Sequence, residues 1–470
     1  MGIILDNRSR SGARSRRLFA GLAVAGLLLA ACGSDDDTTA DTEADTTEAT
    51  AATTETAPAA TDAPADTTAD TEATADTTVD TDAAPTTDAG DSILGPDDPA
   101  SGDPVTIGLI SNGQTESIDN TIELDVADAT VAWLNTNHGG IGGRPFELVT
   151  CIDNGDPAKA GDCANQMIAD GVAAVVIGSN SQVEAAWTPL NEAGMPVMMY
   201  GANAVPILQD TDSSFVLGDP NAGVVGMPIS VAEAAGADKV TAVVIDVPAA
   251  LDLFQGDGAY APIAFEEAGI ELEVVPVPIG TADMTPQMQT VTQGDPGVVF
   301  VLGNDSFCIS AFQGLAAVGF EGEVTAISAC ISDATRTAVP AEFLDGMTIA
   351  ASAPVGVPSP STELYETVMS TYGSGDIDVT RATGYSLFTA LAGFGFAVDA
   401  LEGDPTTENI LSTIKAMPIT ELPAAGGIKY QCNGKAVPTA PASCVQGGLI
   451  TILNSEGFPE SYEVVGKNFG

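Results

Sequence analysis

Short β-branched, apolar runs alternate with helix-periodic segments from Val105 to Ser328, and that alternation leaves the chain few ways to fold. Val105–Ile110 is the first such run. A polar loop over 111–116 follows, and Ile122, Val126, Ala129 and Trp133 then recur at helical spacing over 119–135. The glycine-rich stretch 139–143 turns the chain into a second strand over 145–150. Pro157–Asp170 predicts a helix with proline in its first turn. A strand over 172–178, a helix over 181–193 and a strand over 195–200 complete this series. A second series has strands over 239–246, 272–277, 298–302 and 324–328, with helices over 256–268, 284–293 and 306–318. Repeated βα units require parallel strands whose crossover helices cover both sheet faces. Two series, divided near Gly218, predict an α/β fold of two doubly wound parallel-sheet lobes. Ligands in such sheets sit beyond the carboxyl ends of the strands. The loops 111–116, 178–182, 200–204, 246–250, 303–307 and 329–333 are therefore where a site is expected, and all six are polar or built of small residues.

Composition separates this region from what precedes it. Between Gly33 and Asp103 there is no Lys or Arg, almost no aromatic or large aliphatic residue, and a recurrence of Asp and Glu among Thr, Ala and Pro. Such a stretch cannot bury enough apolar surface to offset its ordering entropy, and its charges repel. It reads as an extended tether over 32–103. Ahead of it, Arg8, Arg10, Arg14, Arg16 and Arg17 precede an apolar run that ends Leu29-Ala-Ala-Cys32. A basic start, a short apolar core and small residues before a cut describe a secretory signal over 1–31. The run is short for a membrane span, which needs about 20 residues.

The formal net charge of −51 argues against a nucleic-acid partner. Past residue 103 there are nine basic residues, Arg144, Lys159, Lys239, Arg336, Arg381, Lys415, Lys429, Lys435 and Lys467, and they do not cluster. Six cysteines follow Cys32: Cys151, Cys163, Cys308, Cys330, Cys432 and Cys444. An even number in an exported domain implies disulfides. Chain order suggests 151–163, 308–330 and 432–444, although six cysteines allow 15 connectivities. With no Cys-x-x-Cys and with His138 as the single histidine, neither a metal site nor a cofactor is expected. No Gly-x-Ser-x-Gly or His-Glu-x-x-His motif occurs, and the expectation is a binding protein rather than an enzyme.

Two resemblances sharpen this reading. Leu29-Ala-Ala-Cys32 resembles the bacterial lipobox, which implies acylation of Cys32 and a lipid anchor on the extracytoplasmic side of the cell membrane. Ile107-Gly-Leu-Ile110, Leu134-Asn-Thr-Asn-His-Gly-Gly-Ile-Gly-Gly-Arg-Pro-Phe-Glu-Leu148, Asp153-Asn-Gly-Asp-Pro-Ala-Lys-Ala160, Asp170-Gly-Val-Ala-Ala-Val-Val-Ile-Gly178, Asn191-Glu-Ala-Gly-Met-Pro-Val197 and Arg381-Ala-Thr-Gly-Tyr-Ser-Leu-Phe388 occur in that order. Together they resemble the type I periplasmic binding proteins, nearest to the branched-chain amino acid receptors of ABC importers. The resemblance implies two lobes joined by a three-crossing hinge, with 104–220 plus 352–450 in the first and 221–351 plus 451–470 in the second. It also implies a small amino-acid-like ligand held between the lobes and an ABC permease in the cytoplasmic membrane as partner. A ligand-sensing or surface-interaction lipoprotein of the same fold, taking an amide or small carboxylate, is the alternative.

By the same resemblance, Ser179, Asn180 and Ser181 would receive a ligand carboxylate, helped by Ala202 and Asn203. Ser181 is equally placed to cap the helix that follows. Ser111 and Gln114 follow the first strand and Pro248 follows the strand ending at Asp246. The second lobe departs from the amino acid receptors: the loops at 247–251 and 303–306 lack an aromatic. The loop at 329–333 lacks an acidic residue at its start, leaving Asp305 or Asp333 to meet an ammonium or to serve as solvated caps, and Asn304 in the loop at 303–306 is a further ligand-binding candidate.

Overall fold

The computed structural model describes residues 92–115, 119–255 and 259–470. The expected signal, Cys32 and the tether up to residue 91 lie outside the described residues.

Five parallel strands form the first sheet: β1 (Val105–Ser111), β2 (Phe146–Ile152), β3 (Val175–Ile177), β4 (Val197–Met199) and β5 (Ser214–Val216), in the order β2-β1-β3-β4-β5. The second sheet contains β6 (Lys239–Asp246), β7 (Glu271–Pro278), β8 (Val298–Leu302), β9 (Val324–Ile327) and β10 (Thr348–Ala351). A two-residue pair, β11 (Thr420–Glu421) and β12 (Lys429–Tyr430), stands apart. β13 (Gly448–Leu453) and β14 (Pro459–Val465) then extend the second sheet, whose order is β14-β13-β10-β9-β8-β6-β7. Its five parallel strands repeat the order of the first sheet, and only β13 and β14 join it antiparallel.

Strand alternation divides each sheet between two cores. Ile107 and Leu109 of β1 face one cluster and Ile110 the other. In β6, Val243 and Ile245 face one cluster, while Val240, Ala242 and Val244 face its opposite. Helices cover these faces, as buried parallel strands require. The Ile122–Asn137 helix packs against helices Pro360–Tyr372 and Ala382–Ala397. These two come after β10, so the chain returns to the first sheet once the second is nearly built. It passes between the sheets after β5, after β10 and before β13.

These passages are tied to one another. Val216 N–H donates to Ala442 O (2.8 Å), Cys444 N–H to Val216 O (2.8 Å) and Ser443 Oγ to Gly218 O (3.0 Å). The Tyr200 hydroxyl donates to Ser352 O. Asp219 Oδ1 accepts the Asn221 N–H at 3.0 Å. Burial pushes the Asp219 carboxyl up to about 6, against backbone N–H groups of Asn221, Ala222 and Gly447 that act the other way.

The three disulfides are Cys151–Cys163, Cys308–Cys330 and Cys432–Cys444, the pairs that chain order suggested. Residues 92–103, expected at the end of the tether, run beside the Ile122–Asn137 helix. Trp133 Nε1 donates to Leu94 O (2.9 Å), Asn137 Nδ2 to Pro96 O (3.0 Å) and Ala100 N–H to Asn135 O (2.8 Å). Among the described residues no helix is long and apolar enough to cross a membrane.

Phe388 is fully buried and stacks on Trp133 with ring centroids 5.6 Å apart, joining the late helix to the first one. Phe388→Ala is expected to cost about 3–5 kcal/mol, the range for a large aromatic removed from a core. Urea denaturation followed by tryptophan fluorescence checks it; a loss below 1 kcal/mol would contradict this packing.

Candidate functional site

In an open doubly wound sheet the crevice forms where strand order reverses. For the first sheet that point lies between β1 and β3, and the loops after these strands meet there through side chains. Asn112 Nδ2 donates to Asp153 Oδ1 (2.7 Å) and to Asn180 Oδ1 (3.2 Å). Asn180 Nδ2 donates to Asp153 Oδ2 (2.8 Å). Asp153 itself is fully buried and also accepts the Gly155 N–H (2.7 Å). A carboxylate out of water needs such donors, and here three loops supply them.

A second buried carboxyl sits beside the first. Glu123, in the first turn of the Ile122–Asn137 helix, is fully buried. Its Oε2 accepts the Ser111 hydroxyl (2.5 Å) and its Oε1 the Ser179 N–H (2.7 Å). A Cβ at Gly178 would collide with Glu123 Oε1, so glycine is what lets the β3 backbone approach this carboxyl. Burial pushes the Glu123 carboxyl up to about 7; hydrogen bonds from Ser111 and Ser179 act against that, and the charge of Asp153 adds to it. Asn120 Nδ2 donates to Ser179 O (2.7 Å), while Asn120 Oδ1 is buried without a hydrogen-bond partner among the described residues.

The loop after β3 therefore spends its backbone donors inside the protein. Ser179 N–H goes to Glu123, Ser181 N–H to Asn112 Oδ1 (2.8 Å) and Gln182 N–H to Asn180 Oδ1 (2.6 Å). Ser181 does not cap the helix, which starts at Val183 with no side-chain cap. Its hydroxyl instead accepts from Gln182 Nε2 (3.3 Å).

In front of this loop lies an open cleft of about 720 Å³. The loops after β3 and β4 line it with Asn180, Ser181, Gln182, Gly201, Ala202, Asn203 and Ala204; Pro157 and helix residues 183–185 and 188 complete it. Four of the sequence-predicted residues, Asn180, Ser181, Ala202 and Asn203, thus share one cavity. Ser111 is buried behind it on Glu123. Gln114 is exposed and bridged to Asp119.

The residues expected on the second sheet do not line this cleft. Pro248 is exposed and opens the short helix Pro248–Leu251. Asn304 caps the Asp305–Ala317 helix, its side chain accepting the Phe307 N–H (3.0 Å). The Asp305 carboxylate accepts the Ser332 and Thr335 hydroxyls, each at 2.8 Å. The Asp333 side chain is 99% exposed and pairs with Arg336 at 2.9 Å. His138, outside the site, packs between Trp133 and Phe396.

Sequence reasoning passed over Asn112, Asn120, Glu123 and Asp153. Glu123 carried a signal: it lies between Ile122 and Val126 on a buried helix face, where an acid has to find partners.

Residues 104–447 match the periplasmic binding protein family. Solved structures similar to this chain include an ABC transporter substrate-binding protein from Sphaerobacter thermophilus (19% identity, 77% of this chain and 97% of that one, TM-score 0.57). A branched-chain amino acid transporter substrate-binding protein from Streptococcus pneumoniae, in complex with isoleucine, shares 16% identity over 77% of this chain and 99% of that one, with TM-score 0.55. A solute-binding protein of an ABC transporter from R. palustris, in complex with 4-hydroxybenzoate, shares 18% over 78% and 99%, with TM-score 0.55. No curated protein matches the sequence.

The Glu123 carboxyl gives a signed pH dependence. Between its ordinary value of 4.5 and about 7 the unfolded chain releases this proton while the folded chain retains it. Stability then falls as pH rises through that window, by on the order of 3 kcal/mol in all. Asp219 adds a loss of the same sign between 3.8 and about 6. Glu123→Gln keeps an acceptor for Ser179 N–H and is expected to flatten the upper part of the decline. Urea midpoints from pH 4.5 to 8 test this; identical slopes in both proteins would refute it.

Proposed function

Because this chain belongs to the periplasmic binding protein family, we propose that it is the solute-capturing component of an ABC importer, working outside the cytoplasmic membrane. The observation that carries this is the cleft at the carboxyl edge of the first sheet. It is built from strand-end loops beside the point where strand order reverses, the place where open α/β sheets hold ligands. The second sheet repeats the strand order, so its loops after β6 and β8 form an equivalent edge. The chain passes between the sheets three times, and such a connection suits closure about a hinge. A ligand that touches both edges favours the closed form by its differential contacts.

The finer form of the proposal is a small ligand related to an amino acid, handed to a permease. The isoleucine complex of the S. pneumoniae protein supports it, and the 4-hydroxybenzoate complex from R. palustris marks a second ligand chemistry on the same fold. The anchor is proposed from the run ending at Cys32 and from the tether composition that follows. A tether restricts the receptor to the membrane surface and raises its effective concentration near a permease.

A thermal-shift screen of the full chain, joined to small-angle scattering, tests the capture. At 100 times its dissociation constant a ligand stabilises by about 2.7 kcal/mol, and the radius of gyration is expected to fall in the same sample. A stabilising ligand that leaves the scattering unchanged would argue against closure. For the anchor, wild type expressed with labelled fatty acid is expected to carry label in the membrane fraction, and Cys32→Ala to lose it. Equal labelling of both would disprove acylation at Cys32.

A further inference from the structure

We propose that the Asp219 carboxyl is a proton-operated latch on the connection between the two sheets. Neutral, it holds the first and third passages together as seen here; ionised, it lets them separate and frees the sheets to move. This goes beyond the receptor reading, because it assigns the residue and the condition that control the motion.

Three observations carry it. First, one side chain reaches two passages. Asp219 lies in the first passage, between β5 and the short helix Ala222–Gly226, and its Oδ1 accepts the Asn221 N–H at 3.0 Å. The Ala222 N–H bonds to the same carboxyl. So does the Gly447 N–H, which belongs to the third passage and stands immediately before β13. A Cβ at Gly447 would collide with Val465 O, so glycine is what lets that N–H come in. The Ser443 hydroxyl, bonded to Gly218 O at 3.0 Å, joins the same two passages beside it.

Second, nothing there compensates a negative charge. Among the described residues no Lys, Arg or His acts on this carboxyl. From the two passages only backbone N–H groups face it, and from the helix Tyr260–Ala268 the Tyr260 hydroxyl. Burial, then the charges of Asp219 and Glu267, push that hydroxyl up, so Tyr260 stays neutral and supplies no counter-ion. Packing is close enough to keep water away: a Cβ at Gly448 would lie 2.8 Å from that of Ala222. A buried carboxylate with hydrogen bonds but no partner charge does not recover its desolvation cost.

Third, linkage fixes the direction. Burial outweighs the N–H groups and raises the carboxyl from its ordinary 3.8 to about 6. When the passages separate, water reaches the carboxyl and that rise is lost. The arrangement that holds the proton more tightly is the one favoured while the proton is bound. The passages are therefore held most firmly below pH 3.8, and the hold is lost as pH rises through about 6. The equilibrium between joined and separated passages shifts by up to about a hundredfold over that window.

Hydrogen exchange of the full chain, read by mass spectrometry from pH 4.5 to 7.5 and corrected for the intrinsic pH dependence of exchange, tests the latch. Segments 219–226 and 445–450 are expected to lose protection about ten- to a hundredfold as pH rises. Asp219→Asn keeps an oxygen for the Asn221 N–H without a charge, and is expected to stay protected across the range. The radius of gyration is expected to grow with pH in wild type relative to Asp219→Asn; the residues before 92 are common to both and cancel. A flat wild-type profile would overturn the latch whatever the variant does. So would an equal loss of protection in Val298–Leu302, inside the second sheet, because it would assign the change to overall stability. Protection lost in the two segments with no difference in radius would overturn the link to sheet motion. None of these readings needs a ligand, so their failure is distinct from failure of the receptor reading.

Discussion

One helix obliges this chain to fold as a whole. Of the sixteen residues of Ala382–Ala397, thirteen are buried. A helix apolar on all sides has to be enclosed by other elements, and here the first sheet and the Ile122–Asn137 helix enclose it. That helix lies 260 residues earlier in the chain, and β3 and β4 about 200. The first sheet therefore cannot complete its core until the second has been traversed. Small residues make the enclosure tight: a Cβ at Gly384 would strike the Tyr365 hydroxyl, and one at Gly395 would lie 2.9 Å from the Leu134 methyls. The three passages between the sheets are the topological consequence of this burial.

The elements that sequence periodicity located are those whose pattern is local. Pro157–Asp170, Lys239–Asp246 and Val298–Leu302 have the bounds that their apolar pattern and proline placement imply. β5 escaped because three residues, Ser214–Val216, carry no periodicity. β4 on one side and the chain at 442–444 on the other hold it in place. The antiparallel end of the second sheet escaped for a similar reason. β13 alternates buried residues with less buried ones and forms a local hairpin with β14, yet what attaches it to the second sheet is β10, almost a hundred residues upstream. Pairing at such separation leaves no mark on a local window.

The candidate cleft was legible in position, and the hydrogen bonds behind it were not. Strand ends mark where loops will lie, and Asn180, Ser181, Ala202 and Asn203 do share a cavity. What those loops bond to depends on residues from other elements. Glu123 comes from a helix and Asp153 from the end of β2, and neither sits in a run that announces a binding loop. The same gap explains Asp305 and Asp333. One is drawn into hydroxyl bonds across the β9 loop and the other into a surface ion pair, distinctions that only the fold makes.

The two buried carboxyls also bear on how the cleft is held before any ligand arrives. Desolvating Glu123 and Asp153 is unfavourable in itself, and charged groups repay burial only when their hydrogen bonds are complete. Both are complete enough to fix backbone. Glu123 holds Ser179, while Asp153, through Asn112 and Asn180, holds Ser181 and Gln182. The loop that faces the cavity is thus ordered at folding, and a ligand of the proposed kind would meet a wall whose conformational entropy is already lost. The passages near Gly218, Ser352 and Gly447 are where the proposed closure would have to be absorbed. Small residues meet there: a Cβ at Gly448 would lie 2.8 Å from that of Ala222, and one at Gly223 would lie 2.9 Å from that of Ala350. Close backbone packing with few long side chains is what the proposed closure would need in order to proceed without repacking either core.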